Sequence, residues 1–263
     1  YWAASTGTGK DAVISEEKVL IGQKLVTKLW NLARFSQRFI SNEPMELALD
    51  DLTGGDRWIL SRGMALIEMV TEAMENYDYA FAKNETEKFM WIFADNYLEM
   101  AKGRLYSEDQ ILKTSAEFTL GKVLLILLKL FAPFLPHVTE EIYLSLFTDK
   151  VRGLSIHTSQ WPKVESTFSN HAYLELGEVL MDIASKVRRF KSQQSLSLGT
   201  PIEDLQIAVA DPAYVDLIED SSPDIKSVTR AENITIVFDL DREFMALSMD
   251  QDKVQVAIKM ELV

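Results

Sequence analysis

The chain of 263 residues has no cysteine. Neither a disulfide nor a thiolate metal site can form, which fits a reducing, cytoplasmic setting. No apolar run is long enough to span a bilayer. The most apolar stretch, residues 123–136, is short and holds Lys129 and two prolines, so no membrane partner is expected. A secretory signal pattern, a cationic start followed by a short apolar run, is missing. The Walker loop, the dinucleotide glycine fingerprint, the His-Glu-x-x-His zinc pair and the Gly-x-Ser-x-Gly elbow are all absent. Thr6-Gly7-Thr8-Gly9-Lys10 has neither the four-residue gap between glycines nor the hydroxyl after lysine that a phosphate loop needs, and reads as a flexible loop. His137, His157 and His171 lack metal-ligand spacing; His137, after Pro136, reads as a packing or capping residue at a helix start. Glu140-Glu141 falls in the first turn of an expected helix, where the macrodipole accounts for it. No catalytic residue, metal ligand or resident cofactor is assigned. A basic surplus is lacking too: net charge is -13, which argues against general nucleic-acid affinity.

What is present is helical periodicity. Ser15 reads as an N-cap, with Glu16 and Glu17 in the first turn of a helix running to about Ile40. A loop with Pro44, several acids and Gly54-Gly55 follows. Asp56 is expected to cap a second helix over residues 57–77, with Leu60, Met64, Ile67 and Val70 at helical spacing. A third helical region over residues 79–105 is expected to break near Asn84; its stripe of Phe89, Phe93, Tyr97 and Met100, with Trp91, Ile92 and Leu98 beside it, reads as packed core. Asp109 opens a fourth helix, apolar on most sides from Val123 to Phe131 and therefore central, which Pro133 and Pro136 end. A short helix over residues 139–147, an irregular stretch over 151–162 with an extended piece at Ser155–His157, and a long helix over 173–193 complete this part. Short connections between helices imply antiparallel neighbours.

After Gly199 the pattern changes. Strands are expected over residues 205–210, 234–240 and 254–260, with a helix of about ten residues after Asp211-Pro212. The expected fold class is therefore mainly α: an antiparallel helical bundle with a small C-terminal α/β module. The division reads as residues 1–14, the end of something upstream or a linker; 15–199, the bundle; and 200–263, the module. Because it opens at Tyr1 inside a folded pattern, the chain is expected to be a fragment or a processed form. Residues 203–263 hold 5 Lys+Arg against 14 Asp+Glu, whereas residues 1–202 hold 22 against 26. Any RNA contact is thus expected on a local basic strip of the first part, with the acidic tail facing away.

One candidate strip lies on the first helix. At about 100° per residue, Leu25, Leu29, Leu32 and Phe39 share one face. Lys24, Lys28, Asn31, Phe35 and Arg38 share a neighbouring one. Cations can hold phosphates and a ring can carry an unstacked base; periodicity alone favours an ordinary solvated face. A second basic run, Lys186, Arg188, Arg189 and Lys191, lies late in the last bundle helix. It has two readings: cations placed by the helix dipole, or a contact along an RNA stem backbone.

A family resemblance adds to these readings. Tyr1-Trp2-Ala3-Ala4-Ser5 and Lys28-Leu29-Trp30-Asn31-Leu32-Ala33-Arg34-Phe35 resemble the valyl-tRNA synthetases, class I aminoacyl-tRNA synthetases, just after their catalytic domain. Asp56-Arg57-Trp58-Ile59-Leu60-Ser61 is similar to that family's second bundle helix. The segment from Asp95 to Leu105 is similar to its aromatic third region. The segment from Ala132 to Ile142 is similar to a signature shared with the isoleucine, leucine and methionine enzymes. The likeness covers residues 1 to about 200; residues 203–263 are less diagnostic and look more like the α/β tail of archaeal-type enzymes.

The resemblance implies a bundle of the class Ia anticodon-binding type that grips the anticodon stem-loop of valine tRNA, as part of an enzyme that ligates valine to tRNA with ATP. It implies that Lys28 and Phe35 lie near the anticodon bases. Asn31 and Arg34 would support that surface, Lys24 and Arg38 would contact phosphates, and Lys186 and Arg189 would be further RNA contacts. It reverses the preference that periodicity gives for the first helix. The His-Ile-Gly-His and Lys-Met-Ser-Lys-Ser signatures are absent, so ATP and Mg are expected to belong to a catalytic domain upstream, and this part alone is expected to be non-catalytic. An isoleucyl or leucyl enzyme, or a free-standing helical protein-interaction module, are the alternatives.

Overall fold

The computed structural model describes residues 1–7, 9, 11, 16–40, 47–147, 155–250 and 253–260. The expected cap Ser15, the loop around Pro44, Thr8 and Lys10 of the glycine run, and residues 151–154 lie outside the described residues. Nine α-helices are described: α1 (Glu16–Ser36), α2 (Gly54–Glu75), α3 (Tyr79–Ile92), α4 (Leu98–Leu105), α5 (Gln110–Phe131), α6 (Pro136–Leu146), α7 (His171–Gln193), α8 (Ala213–Asp220) and α9 (Ser222–Thr229). Four strands, β1 (Ile202–Val209), β2 (Ala231–Val237), β3 (Met245–Leu247) and β4 (Val254–Lys259), form one sheet in the order β2-β1-β4-β3. The protein is thus mainly helical with a small α/β module. No helix among the described residues is long and apolar enough to cross a membrane.

Contacts gather the chain into two compact units that do not follow chain order. The first comprises residues 1–47, 60–95 and 117–169; the second comprises 48–59, 96–116 and 170–263. In the first unit, the stripe Leu25, Leu29 and Leu32 of α1 is buried, and so is Phe39 in the turn after it; the helix ends at Ser36, short of the expected Ile40. Phe89 and Phe93, and Leu120, Leu124, Leu127 and Phe131 of α5, are buried as well, as near-continuous apolarity predicts for a central helix. Lys129 escapes the apolar run by donating to the carbonyl of Gln160 at 2.8 Å, and burial lowers its ammonium pKa. Gly22 is required on α1 because a β-carbon there would stand 2.7 Å from the ring of Tyr1. Tyr1 in turn donates to Glu87 at 2.9 Å and lies under the Lys83 ammonium, 4.0 Å from its ring centroid.

The helix boundaries depart from expectation in instructive ways. The third helical region does not break at Asn84. It changes pitch at Phe93–Tyr97, a five-residue π-helical turn. Pro133 follows α5, but Pro136 opens α6 as its first helical residue, where its missing N–H costs nothing. Ser155–His157 is not extended: Ser155 caps a 3-10 turn over Ile156–Thr158. Glu140 does more than meet a dipole, accepting from Ser155 Oγ at 3.0 Å and from the Ile156 amide at 2.9 Å. Asp109 caps α5 as expected, accepting from the amides of Ile111 and Leu112.

In the second unit, Asp56 is not the cap of α2. The cap is Thr53, whose amide donates to Asp56 at 3.2 Å while its hydroxyl accepts from the Asp56 amide at 3.3 Å, a reciprocal capping box. Gly54 and Gly55 belong to the helix and not to the loop. A β-carbon on Gly55 would lie 2.6 Å from the Asp224 carboxylate, and one on Gly54 2.1 Å from Ser221 Oγ. Asp56 instead enters a buried cluster. Arg104 grips it through two bonds of 2.8 and 2.9 Å and donates from Nε to Asp224 at 2.9 Å. Tyr97 donates to Asp56 at 2.5 Å, and Thr53 to Asp224 at 2.8 Å. Burial pushes the Asp56 carboxyl up, but Arg104 and the hydrogen bonds from Arg104, Tyr97 and Thr53 override it and hold it below the usual range. Asp224 goes the other way: burial, reinforced by the Asp56 charge, outweighs Arg104 and raises it.

The sheet module adds two elements that the sequence pattern missed, the second helix α9 and the short strand β3. Its second strand also ends at Val237, short of the expected Leu240. β1 and β2 run parallel with Leu205 opposite Ile234 and Ile207 opposite Ile236, and the chain between them includes α8 and α9, the crossover that parallel neighbours need. β4 runs antiparallel to β1, with Val256 opposite Ile207. Along β4, Val254, Val256 and Ile258 are buried and Gln255 and Lys259 exposed, while Ala257 is buried as well, so the strand is not a strict alternation.

Candidate nucleic-acid interface

α1 is held by its apolar stripe and turns the remainder of its surface outward. Lys24, Asn31, Arg34 and Arg38 are exposed, and Lys28 and Phe35 are half-buried. Among the described residues, Lys24, Arg34 and Arg38 form no ion pair. Lys28 differs: its ammonium pairs with Asp95 at 2.7 Å and lies over the ring of Trp91, 5.3 Å from the centroid. Its charge is partly spent inside the protein. The Phe35 ring leans on Phe39, 5.1 Å between centroids and 46° between planes, leaving part of it open. α1 and the turn that follows it thus carry three cations without an ion pair among the described residues, Lys24 and Arg34 on the helix and Arg38 in the turn, with one exposed amide and one half-buried ring, which is the chemistry for backbone contact and base stacking.

Two grooves flank α1. One, of about 590 Å³, is lined by Leu20, Lys24, Lys28, Asn31 and Trp91 among others. The other, of about 110 Å³, lies between Trp30 and Arg34 of α1, Gln37 just beyond its end, and Ile142, Ser145 and Leu146 of α6. Trp91 is expected beside the core stripe, but it is only half-buried and lines the larger groove. The signal was in the spacing: two residues beyond Phe89, it points about 200° away from the buried ring.

The basic run on α7 meets a different environment. Lys186 is only 11% exposed, with Asp250 at 2.5 Å and Asp182 at 3.8 Å. Lys191 is buried and donates to the carbonyls of Leu198, Thr200 and Thr229 at 3.2, 2.6 and 2.8 Å. Burial, with the Arg230 charge added, pushes its ammonium down to about 8. Arg189 is exposed and Arg188 half-buried, neither in an ion pair among the described residues.

The chain belongs to the family of anticodon-binding domains of tRNA ligases, whose family model matches residues 56–208. Its relatives narrow the kind. It is 37% identical over 243 residues to the valine–tRNA ligase of Methanopyrus kandleri, an alignment covering 90% of this chain and 26% of that one. It is 36% identical over 255 residues to that of Rickettsia canadensis, covering 89% and 29%, and 34% identical over 237 residues to that of Thermococcus kodakarensis, covering 90% and 26%. The chain therefore spans little more than a quarter of the length of these relatives.

Proposed function

We propose that this chain is the anticodon-binding part of a valine–tRNA ligase and that it holds the anticodon stem-loop of valine tRNA on the outer face of α1. The observation that carries the reading is that face. In a chain of net charge -13, Lys24, Arg34 and Arg38 stand without an ion pair among the described residues, beside exposed Asn31 and half-open Phe35. Lys24, Arg34 and Arg38 supply phosphate contacts. Asn31 offers both donor and acceptor to a base edge, and Phe35 gives a base a surface to lie on. Lys28, tied to Asp95, acts as a fixed hydrogen-bond donor near the bases more than as a counter-ion. On α7, Arg189 is the residue free to follow a stem backbone, and Lys186 contributes only where Asp250 releases it. A narrow footprint of this kind reconciles RNA binding with an acidic chain.

Valine activation with ATP and Mg, and transfer to tRNA, are assigned to the remainder of a full-length cytoplasmic ligase. The part described contributes binding energy and orientation at a distance from that chemistry.

The test is a titration of this chain with RNA stem-loops carrying valine, isoleucine and leucine anticodons. Preference for the valine loop is expected, and Phe35→Ala should cost about 1–3 kcal/mol of that binding. A folded chain that binds no stem-loop would overturn the reading in favour of a protein-interaction module. Equal or stronger binding of an isoleucine or leucine loop would overturn the valine assignment alone.

A further inference from the structure

We infer that the groove between α1 and α3 receives one unpaired nucleobase of the bound RNA loop, stacked on Trp91 and separate from the base carried by Phe35. The inference rests on the reading above and deepens it.

Trp91 is the largest side-chain type the chain has, yet it is only half-buried, lining a groove on α3. Leu20 and Ile21 on the same groove are 53% and 43% exposed. An aromatic wall and two aliphatic side chains open to water form a surface that gains by being covered. The groove, of about 590 Å³, is open to solvent on one side and has room for a flat aromatic group laid against its wall.

Its charge selects the occupant. Lys28 and Asp95 neutralise each other at 2.7 Å, and the remaining ionic groups of the lining are Lys24 and Glu17, one of each sign. Such a groove does not favour a phosphate. It favours a flat, uncharged, hydrogen-bonding group, for which Gln23, Thr27 and Asn31 supply donors and acceptors. A nucleobase has those properties, and the phosphates of its strand find Lys24 and Arg34 on the same helix and Arg38 in the turn after it. The Lys28–Asp95 pair has a second effect. It fixes a cation 5.3 Å from the Trp91 ring centroid, which steadies the ring before any base arrives.

The experiment uses this chain and the valine-anticodon stem-loop, with single abasic substitutions along the loop. Trp91→Ala is expected to weaken binding by about 5- to 150-fold, the span that stacking one base corresponds to, and Trp91→Phe to recover most of it. At one loop position, abasic substitution should weaken the wild type by a similar factor and leave Trp91→Ala unchanged, because both remove the same stack. An unchanged thermal melt of Trp91→Ala by circular dichroism is the folding control, and Trp91→Phe carries the comparison if that variant does not fold. Unaltered affinity of a folded Trp91→Ala chain overturns the inference while the proposed function stands. Losses that multiply at every loop position overturn it too, since Trp91 would then act only through the fold. If the wild type binds no stem-loop, both fall together.

Discussion

Two sets of cations occupy this molecule, and they differ in what surrounds them. Lys24 and Arg34 of α1 and Arg38 of the turn after it stand beside a core-facing stripe that does the packing, and no carboxylate among the described residues meets them. In the second unit, Arg104 and Lys191 are buried and Lys186 nearly so, each engaged by carboxylates or carbonyls. A run of basic residues in sequence gives no hint of this division. The α7 run looks the more concentrated, yet two of its four charges are internal. Availability depends on where acidic and carbonyl groups from distant segments fall, and Asp250 lies 64 positions from the lysine that it meets.

Removing members of each set in turn probes that contrast. The largest effect is expected for Arg104→Ala, which strands the Asp56 and Asp224 carboxylates in a buried site. A loss of about 3–5 kcal/mol in denaturant-measured stability is expected; a loss below about 1 kcal/mol would mean that water or rearrangement replaces the guanidinium.

A smaller, pH-dependent effect belongs to Lys191. Its folded-state pKa of about 8 lies below the ordinary value of 10.5. Between those values the unfolded chain holds a proton that the folded chain has released. Stability attributable to this residue therefore rises with pH across the window, by at most about 1.4 kcal/mol per unit. The difference between wild type and Lys191→Met, followed from pH 7 to 10.5, should show that slope; a flat difference would place the lysine in an unperturbed state.

The smallest stability changes are expected for Lys24→Ala and Arg38→Ala, within about 0.5 kcal/mol of wild type. Their signature is in RNA binding, where each should reduce the slope of log affinity against log salt by about 0.7. An unchanged slope would move that residue out of the footprint and blur the contrast between the two sets.

Much of the architecture was legible from local pattern. The buried stripe of α1, the central run of α5, the Asp109 cap and the burial of Phe89, Phe93, Tyr97 and Met100 follow from period, capping chemistry and proline placement, all properties of a few consecutive residues. Two of the misreadings came from long-range partners. Asp56 looked like a cap because its commonest local use is capping; its partners Arg104 and Asp224 lie 48 and 168 positions away. Glycine pairs usually mark loops, but Gly54 and Gly55 are helical, and glycine stands there because a β-carbon would collide with Ser221 and Asp224. Trp91 is a local misreading: it stands among core rings in sequence, but its spacing of two residues from Phe89 turns it away from the buried face.

The sequence by itself determined most of the long helices of the bundle, the apolar stripes that face its core, and that a basic, ring-bearing strip exists along α1. Those depend on backbone periodicity and on the partition of side chains between water and core. Only tertiary structure decided which charges remain open, because a charge is neutralised by whatever the fold brings within a few ångströms. That proximity is set by packing between segments far apart in the chain.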